Sequence, residues 1–329
     1  MITRVTRVLL LVQIAVVIGI AAALLQSNRV SSMPLAALIA IGVVALLRML
    51  ITANNFYIAW RFRSETPAAY RINALQACRL FFREFAASMA ASSLSMPFSR
   101  VRQYLSRKED APPVLLLHGY ICNSGYWHSM SRALAQAGIS HSAIDLEPIM
   151  ASIDDYAPAI HQAVQDLRRD SKAARVVIVA HSMGGLAARA YLRRYGCSDI
   201  AKIITLGTPH HGTAVAQFGL GLNSRQMHWS ANEQEGLASP WLRELADSED
   251  SSRRSLFVSV FTHHDNIVAP QTSSFLPGAD NIAFGGIGHV ALASHPAIQA
   301  CVIEKIRKAS HPRQDADAGP ATEVPRAAH

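Results

Sequence analysis

The chain has 329 residues, half of them hydrophobic and 16% charged, with a net charge of +8. That length supports one substantial core with appendages, and the low charge points to membrane contact as well as burial. The positive charge is confined to the first third: residues up to Asp110 carry 13 Lys and Arg against 4 Asp and Glu, whereas the remainder carries 18 against 19. The remainder has no basic cluster interleaved with aromatics, which excludes a nucleic-acid-binding face there.

Two apolar runs open the chain. Val8 to Leu25 holds one polar side chain, Gln13, and Met33 to Ile51 holds one charge, Arg48. At about 1.5 Å per residue each approaches the roughly 30 Å of hydrocarbon in a bilayer, so residues 1–60 read as a membrane anchor of two transmembrane helices, near 8–25 and 33–51. Arg4 and Arg7 precede the first run, Arg61, Arg63, Arg71, Arg79 and Arg83 follow the second, and the turn between them has only Arg29. The positive-inside rule then puts both ends, and the domain that follows, on the cytoplasmic side of the membrane. The competing reading is a cleaved signal peptide over the first run, which places that domain in the periplasm or outside the cell. Residues 61–111 read as a basic connector, helical from Pro67 to Lys108. Its cluster Leu80-Phe81-Phe82-Arg83-Glu84-Phe85 suits an amphipathic helix on an anionic surface or, equally, a helix packed on its neighbours. Pro112-Pro113 marks a domain boundary.

From Val114 the pattern alternates strand and helix: Val114–Leu117, a helix over Trp127–Gly138, His141–Leu146, a helix over Asp154–Arg169, Arg175–Ala180, a helix over Leu186–Arg194, Ile200–Leu206, Leu256–Thr262, Ile282–Phe284 and a last helix from Pro296 to Lys308. Such alternation implies an α/β fold with a mostly parallel sheet and helices on both faces. The strand that ends in Ala180-His181-Ser182-Met183-Gly184-Gly185 has the form of a nucleophile elbow. Small residues two before and two after Ser182 let strand and helix pass close together, with the serine hydroxyl exposed at the turn. His263-His264-Asp265-Asn266 follows one later strand and a glycine-rich turn presents His289 after the last, so Ser182, Asp265 and His289 stand in the order nucleophile, acid, base. Asp280 is the competing carboxylate. The expected oxyanion donors are the backbone N–H groups of Tyr120 and Met183, while His118, His210 and His211 read as loop hydrogen-bonding residues. Cys78, Cys122, Cys197 and Cys301 are scattered without C-x-x-C spacing, so neither a zinc site nor a disulfide framework is indicated.

Through His118-Gly119-Tyr120, Ala180-His181-Ser182-Met183-Gly184-Gly185 and Leu206-Gly207-Thr208-Pro209-His210-His211-Gly212-Thr213, the chain resembles bacterial lipases of the α/β-hydrolase superfamily. The resemblance covers about Pro113 to Lys308 and implies an α/β-hydrolase domain at 112–308 with a cap or lid at 212–250. It also implies carboxylic ester hydrolysis through an acyl-enzyme, with no cofactor and a lipid or other acyl ester as substrate; the two apolar runs, which lie outside the resemblance, add an anchor in the bacterial inner membrane. Acyl transfer, phospholipase or thioesterase chemistry on the same residues is the alternative, and a non-enzymatic membrane scaffold a further one. Larger relatives bind calcium through an aspartate two residues after the histidine; here that position is Ala291, so no metal is expected. Residues 309–329 read as a disordered tail.

Overall fold

The protein is described by a computed structural model that covers residues 2–99, 103–107, 110–231 and 239–310. Two long apolar helices, α1 (Ile2–Gln26) and α2 (Met33–Arg61), pack along each other as a hairpin. They extend past the apolar runs by a turn or more at the domain-proximal ends. A capping box between Asn73 and Gln76 starts α3 (Ala74–Ala90), each side chain accepting the other's backbone N–H at 2.9 and 2.8 Å. α3 runs on into a π-helical turn, Ala91–Ser95.

The helix expected to continue toward Lys108 stops there. Pro97 has no N–H to donate, and beyond it Tyr104 instead exchanges two 2.8 Å backbone hydrogen bonds with His141 at a sheet edge. Of the two readings of α3, the structure takes the second. Leu80 and Glu84 are buried and the helix packs on residues 290–293.

The domain proper is β1 (Val114–Leu117), α4 (His128–Gln136), β2 (His141–Ile144), α5 (Ala157–Ser171), β3 (Val176–His181), α6 (Met183–Tyr195), β4 (Ile200–Leu206), α7 (Leu222–Gln226), α8 (Pro240–Asp247), α9 (Ser251–Arg254), β5 (Phe257–Thr262), β6 (Asp280–Phe284) and α10 (Pro296–Lys308). Among the described residues the six strands form one parallel sheet in the order β2-β1-β3-β4-β5-β6. Every residue of β1, β3 and β5 is buried, as it must be when helices cover both faces. Leu115, Ile178, Ile203 and Phe257 meet α5, α6 and α8 on one face, and Leu116, Val177, Ile204 and Val258 meet α4 and α10 on the other. The order of strand addition reverses at β1, with β2 on one side and β3 on the other, and the crevice beyond the carboxyl ends of β1 and β3 is where open α/β sheets bind ligands.

The segment expected as a lid, 212–250, is short helices and turns, with 232–238 outside the described residues. Its apolar side chains divide: Met227, Trp241, Leu242 and Leu245 are buried in the main core, with the Trp241 indole donating to Asp154 at 2.7 Å, whereas Phe218, Leu220 and Leu222 stand exposed. Arg189 of α6 locks the same segment down. Its guanidinium donates to both carboxylate oxygens of Glu249 at 2.7 Å and to the His210 carbonyl at 3.0 Å, with both side chains almost wholly buried. The tail from 311 onward lies outside the described residues.

Breaking one side of a buried pair strands the other charge. Glu249→Ala is therefore expected to lose about 3–5 kcal/mol in urea unfolding of the detergent-solubilised protein, where a surface-pair deletion loses under about 1 kcal/mol.

Candidate active site

At the end of β3 the backbone turns sharply, and Ser182 takes φ 55°, ψ −128°, a conformation that side-chain-bearing residues rarely adopt. The turn is held from three sides. Ser182 N–H donates to the Leu206 carbonyl at 2.9 Å, the Thr208 hydroxyl donates to the Ser182 carbonyl at 2.9 Å, and Gly185 N–H donates to that same carbonyl at 3.0 Å. Close approach explains the small residues around it. A Cβ on Gly184 would stand 2.6 Å from the carbonyl oxygens of Leu117 and His118, and one on Gly185 would collide with the Thr208 side chain. On the opposite side Gly119 presses so near that a Cβ there would lie 2.8 Å from Ser182 Cβ. The serine is consequently more covered than the sequence suggested, at 7% exposure.

Met183, the first residue of α6, has an N–H that the helix itself cannot satisfy. Tyr120 follows Gly119 on the neighbouring loop. Its hydroxyl donates to the Leu220 carbonyl at 2.6 Å and accepts the Leu220 N–H at 2.8 Å, which ties that loop to the 219–222 segment. The two expected oxyanion donors thus stand on the β1 and α6 sides of one turn.

Asp265 and His289 meet as the sequence order implied. His289 Nδ1 lies 2.7 Å from Asp265 Oδ2, and the other oxygen, Oδ1, accepts the N–H groups of Ile267 and Val268 at 2.8 and 2.7 Å. Gly207 passes so close to this pair that a Cβ would be 3.0 Å from Asp265 Oδ2 and 3.2 Å from His289 Nδ1, and its φ of 56° also calls for glycine. The competitor Asp280 is elsewhere, exposed at the start of β6 and paired with Lys305 at 2.6 Å. Burial alone would pull the His289 imidazole down. The charge and hydrogen bond of Asp265, with Glu84 adding, outweigh it and leave His289 above its ordinary range.

Several supporting residues left no local signal. The His289 N–H donates to buried Asn266 Oδ1 at 2.9 Å, and His181 Nε2 lies 3.1 Å from the His289 carbonyl with its ring 4.4 Å from that of His289. Both were legible as residues adjacent to an expected site member, but not as its supports. His118 accepts the Leu146 N–H at 2.9 Å and sits 2.9 Å from the Gly119 carbonyl, a hydrogen-bonding residue beneath the loop. His210 is buried 3.2 Å from the Thr205 hydroxyl, and His211 lies 3.3 Å from the Ser273 carbonyl. Among the described residues no cluster of three metal-ligating side chains occurs.

This sheet and this turn are those of the α/β-hydrolase fold. Comparison with known proteins makes the chain lipase- and esterase-like: a family model described as palmitoyl protein thioesterase matches residues 113–248. A triacylglycerol lipase of Pseudomonas fragi is 32% identical over 111 residues, 32% of this chain. The chain spans about 36% of that relative's length. Among solved structures, the propeptide form of a Bacillus licheniformis lipase superposes with a TM-score of 0.52 at 17% identity, over 67% of this chain and 55% of that one. Lipase B of Aspergillus fumigatus does so with 0.50 at 16%, over 64% and 56%. The family match ends before Asp265 and His289, so the geometry of that pair is independent of it.

The charge balance around His289 gives a titration with a fixed sign. The imidazole is expected to hold its proton more tightly in the wild type than in Asp265→Asn, where burial acts with less opposition and the midpoint falls, as NMR of the histidine ring protons would record.

Proposed function

We propose that the protein is a membrane-anchored serine hydrolase that cleaves carboxylic esters of lipids. The observation that carries this reading is the 2.7 Å pair of Asp265 and His289, assembled on the same sheet edge as a serine held at φ 55°. Asp265 fixes the imidazole so that the Nδ1 proton faces the carboxylate and Nε2 is left to act as base. His289 then takes the proton of Ser182 as its oxygen attacks the ester carbonyl. The N–H groups of Tyr120 and Met183 receive the negative charge that develops on the carbonyl oxygen, each such donor contributing about 2.7–4 kcal/mol. The imidazolium returns its proton to the departing alcohol, and water resolves the acyl-enzyme by the same steps.

The anchor reading rests on α1 and α2, of 25 and 29 residues, whose apolar side chains are largely exposed. At about 1.5 Å per residue both exceed the thickness of bilayer hydrocarbon. Their domain-proximal ends root on the sheet edge that carries the site. Ile2 N–H donates to Glu147 at 2.9 Å and Asn123 donates to the Thr3 hydroxyl at 3.1 Å, while Ser64 N–H donates to Gln271 at 3.1 Å, just beyond the Asp265 loop. Exposed Ile121, Met150, Phe218, Leu220 and Leu222 lie on the loops of that same edge. A site so oriented draws its substrate from the leaflet in which the hairpin sits, from a cytoplasmic face if the charge bias sets topology.

Thioester cleavage is the second reading, favoured by the family match over 113–248. It requires the same nucleophile and base, with a thiolate as the leaving group.

Hydrolysis of p-nitrophenyl esters from short to long acyl chains tests the proposal, with acyl-thioester analogues run in parallel. Activity on long chains is expected, falling about 10⁴–10⁶-fold in Ser182→Ala. Fluorophosphonate labelling should follow Ser182 as well. Ester turnover that survives Ser182→Ala would sink the reading.

A further inference from the structure

One carboxylate of the site comes from outside the hydrolase domain. Glu84, on the connector helix α3, is 1% exposed and lies beneath the turn that follows His289. Its Oε1 accepts the Val290 N–H at 2.8 Å and its Oε2 the Ala291 N–H at 3.0 Å. A side chain at Gly288 would run into this carboxylate, so the residue before His289 is open to allow its approach. A buried glutamate carries a large desolvation cost that two backbone donors only partly offset, and burial indeed pushes Glu84 upward. Packing alone would have been served by a hydrophobic side chain. The position where the lipase resemblance expects a calcium-ligating aspartate is Ala291, and Ala291 is one of the two residues whose N–H Glu84 holds.

α3 is in turn fixed to the hairpin. Arg48 of α2 donates to Gln13 of α1 at 2.8 Å, to Ser93 at 2.9 Å and to Ser92, the two serines standing in the π-helical turn that continues α3. A continuous set of contacts therefore leads from the apolar hairpin to the residues next to His289.

Resting on the reading of His289 as the base, we infer that Glu84 is a positioning residue for His289, which makes the catalytic loop depend on the membrane-linked connector. The groups facing His289 are Asp265 from the loop after β5, Glu84 from α3 and His181 from the end of β3, with the Tyr126 ring stacked on His181 at 4.3 Å. Burial keeps His181 and Tyr126 neutral; it also pushes Glu84 upward, but both Glu84 oxygens accept backbone N–H groups, the arrangement of a carboxylate, which with Asp265 supplies the charge. Removing the Glu84 charge moves the His289 midpoint down in pH.

The test uses the full chain in detergent, as wild type, Glu84→Gln and Glu84→Ala. Titration of the His289 ring by NMR is read first and is independent of turnover. Its midpoint is expected to fall by about half a unit or more in Glu84→Gln. For ester turnover the expected pattern is kcat lower by about 10-fold in Glu84→Ala and less in Glu84→Gln, KM within about 3-fold, and the acidic limb of the pH profile shifted with the NMR midpoint. If Glu84→Ala fails to fold, Glu84→Gln, which keeps one acceptor oxygen, carries both readouts. An unmoved His289 midpoint in Glu84→Gln overturns the inference, as does a loss of turnover that only tracks the loss of folded protein measured by circular dichroism. A wild type that cleaves no ester and is not labelled at Ser182 fails the proposed function instead, while the His289 titration still decides the positioning of the loop.

Discussion

The constraint on which the rest of the structure depends is the close passage of backbone at Ser182. Three strands must deliver their carboxyl ends to one point, with the carbonyls of Leu117 and His118 against Gly184, Gly119 against the serine, and Thr208 against Gly185. A residue at φ 55° is strained by about 1–3 kcal/mol, and here the strain is held by three hydrogen bonds and by a sheet whose strands are buried on both faces. The same compression makes the site rigid: Gly207 leaves no room between itself and the Asp265–His289 pair. Preorganisation of this kind is what lets fixed N–H groups act on developing charge without reorganising.

Legibility followed the range of the forces involved. The alternating pattern set out all six strands, most plainly β1, β3 and β5, because strands buried on both faces are mostly apolar along their length. The elbow was legible because steric crowding writes itself into adjacent positions, Ala180, Gly184 and Gly185. Asp265 and His289 stood at strand ends in the expected order, so their meeting was anticipated, although 24 positions separate them. Lone residues acting across the fold left no such mark. Glu84 reaches a partner 206 positions away, and within Arg83-Glu84-Phe85 it has the look of a solvated charge on an amphipathic helix. Arg189 and Glu249 were equally silent, since neither helical periodicity nor a motif announces a buried pair 60 positions apart.

The overestimated helix after Ser95 and the buried part of the 212–250 segment have related causes. Local propensity favoured helix through the Ala-rich connector, but Pro97 and the pairing of Tyr104 with His141 supplied backbone partners of another kind. The 212–250 segment is rich in polar and glycine residues, the composition of a loose cap. Yet three of its large apolar side chains, Met227, Trp241 and Leu242, find the sheet-covering core, while Phe218, Leu220 and Leu222 stay exposed. Composition averaged over a window conceals this, because a small number of fully buried side chains outweighs many exposed ones, at about 1.5–3 kcal/mol each.

Seen from His289, the hydrolase sheet and the membrane-proximal third are one mechanical unit. Asn266 and His181 hold the residue's own backbone from within the domain, and Glu84 holds the two residues after it from without. The Tyr126 hydroxyl adds a bond to the Val290 carbonyl at 3.2 Å, so the turn is gripped on both its donor and its acceptor side. If His289 is the base of the proposed reaction, such restraint matters, because misplacement of a catalytic group by about 1 Å is enough to cost some 10²-fold in rate. That part of the restraint comes from a helix rooted on the apolar hairpin means that the geometry around His289 and the packing of the hairpin share a single set of contacts.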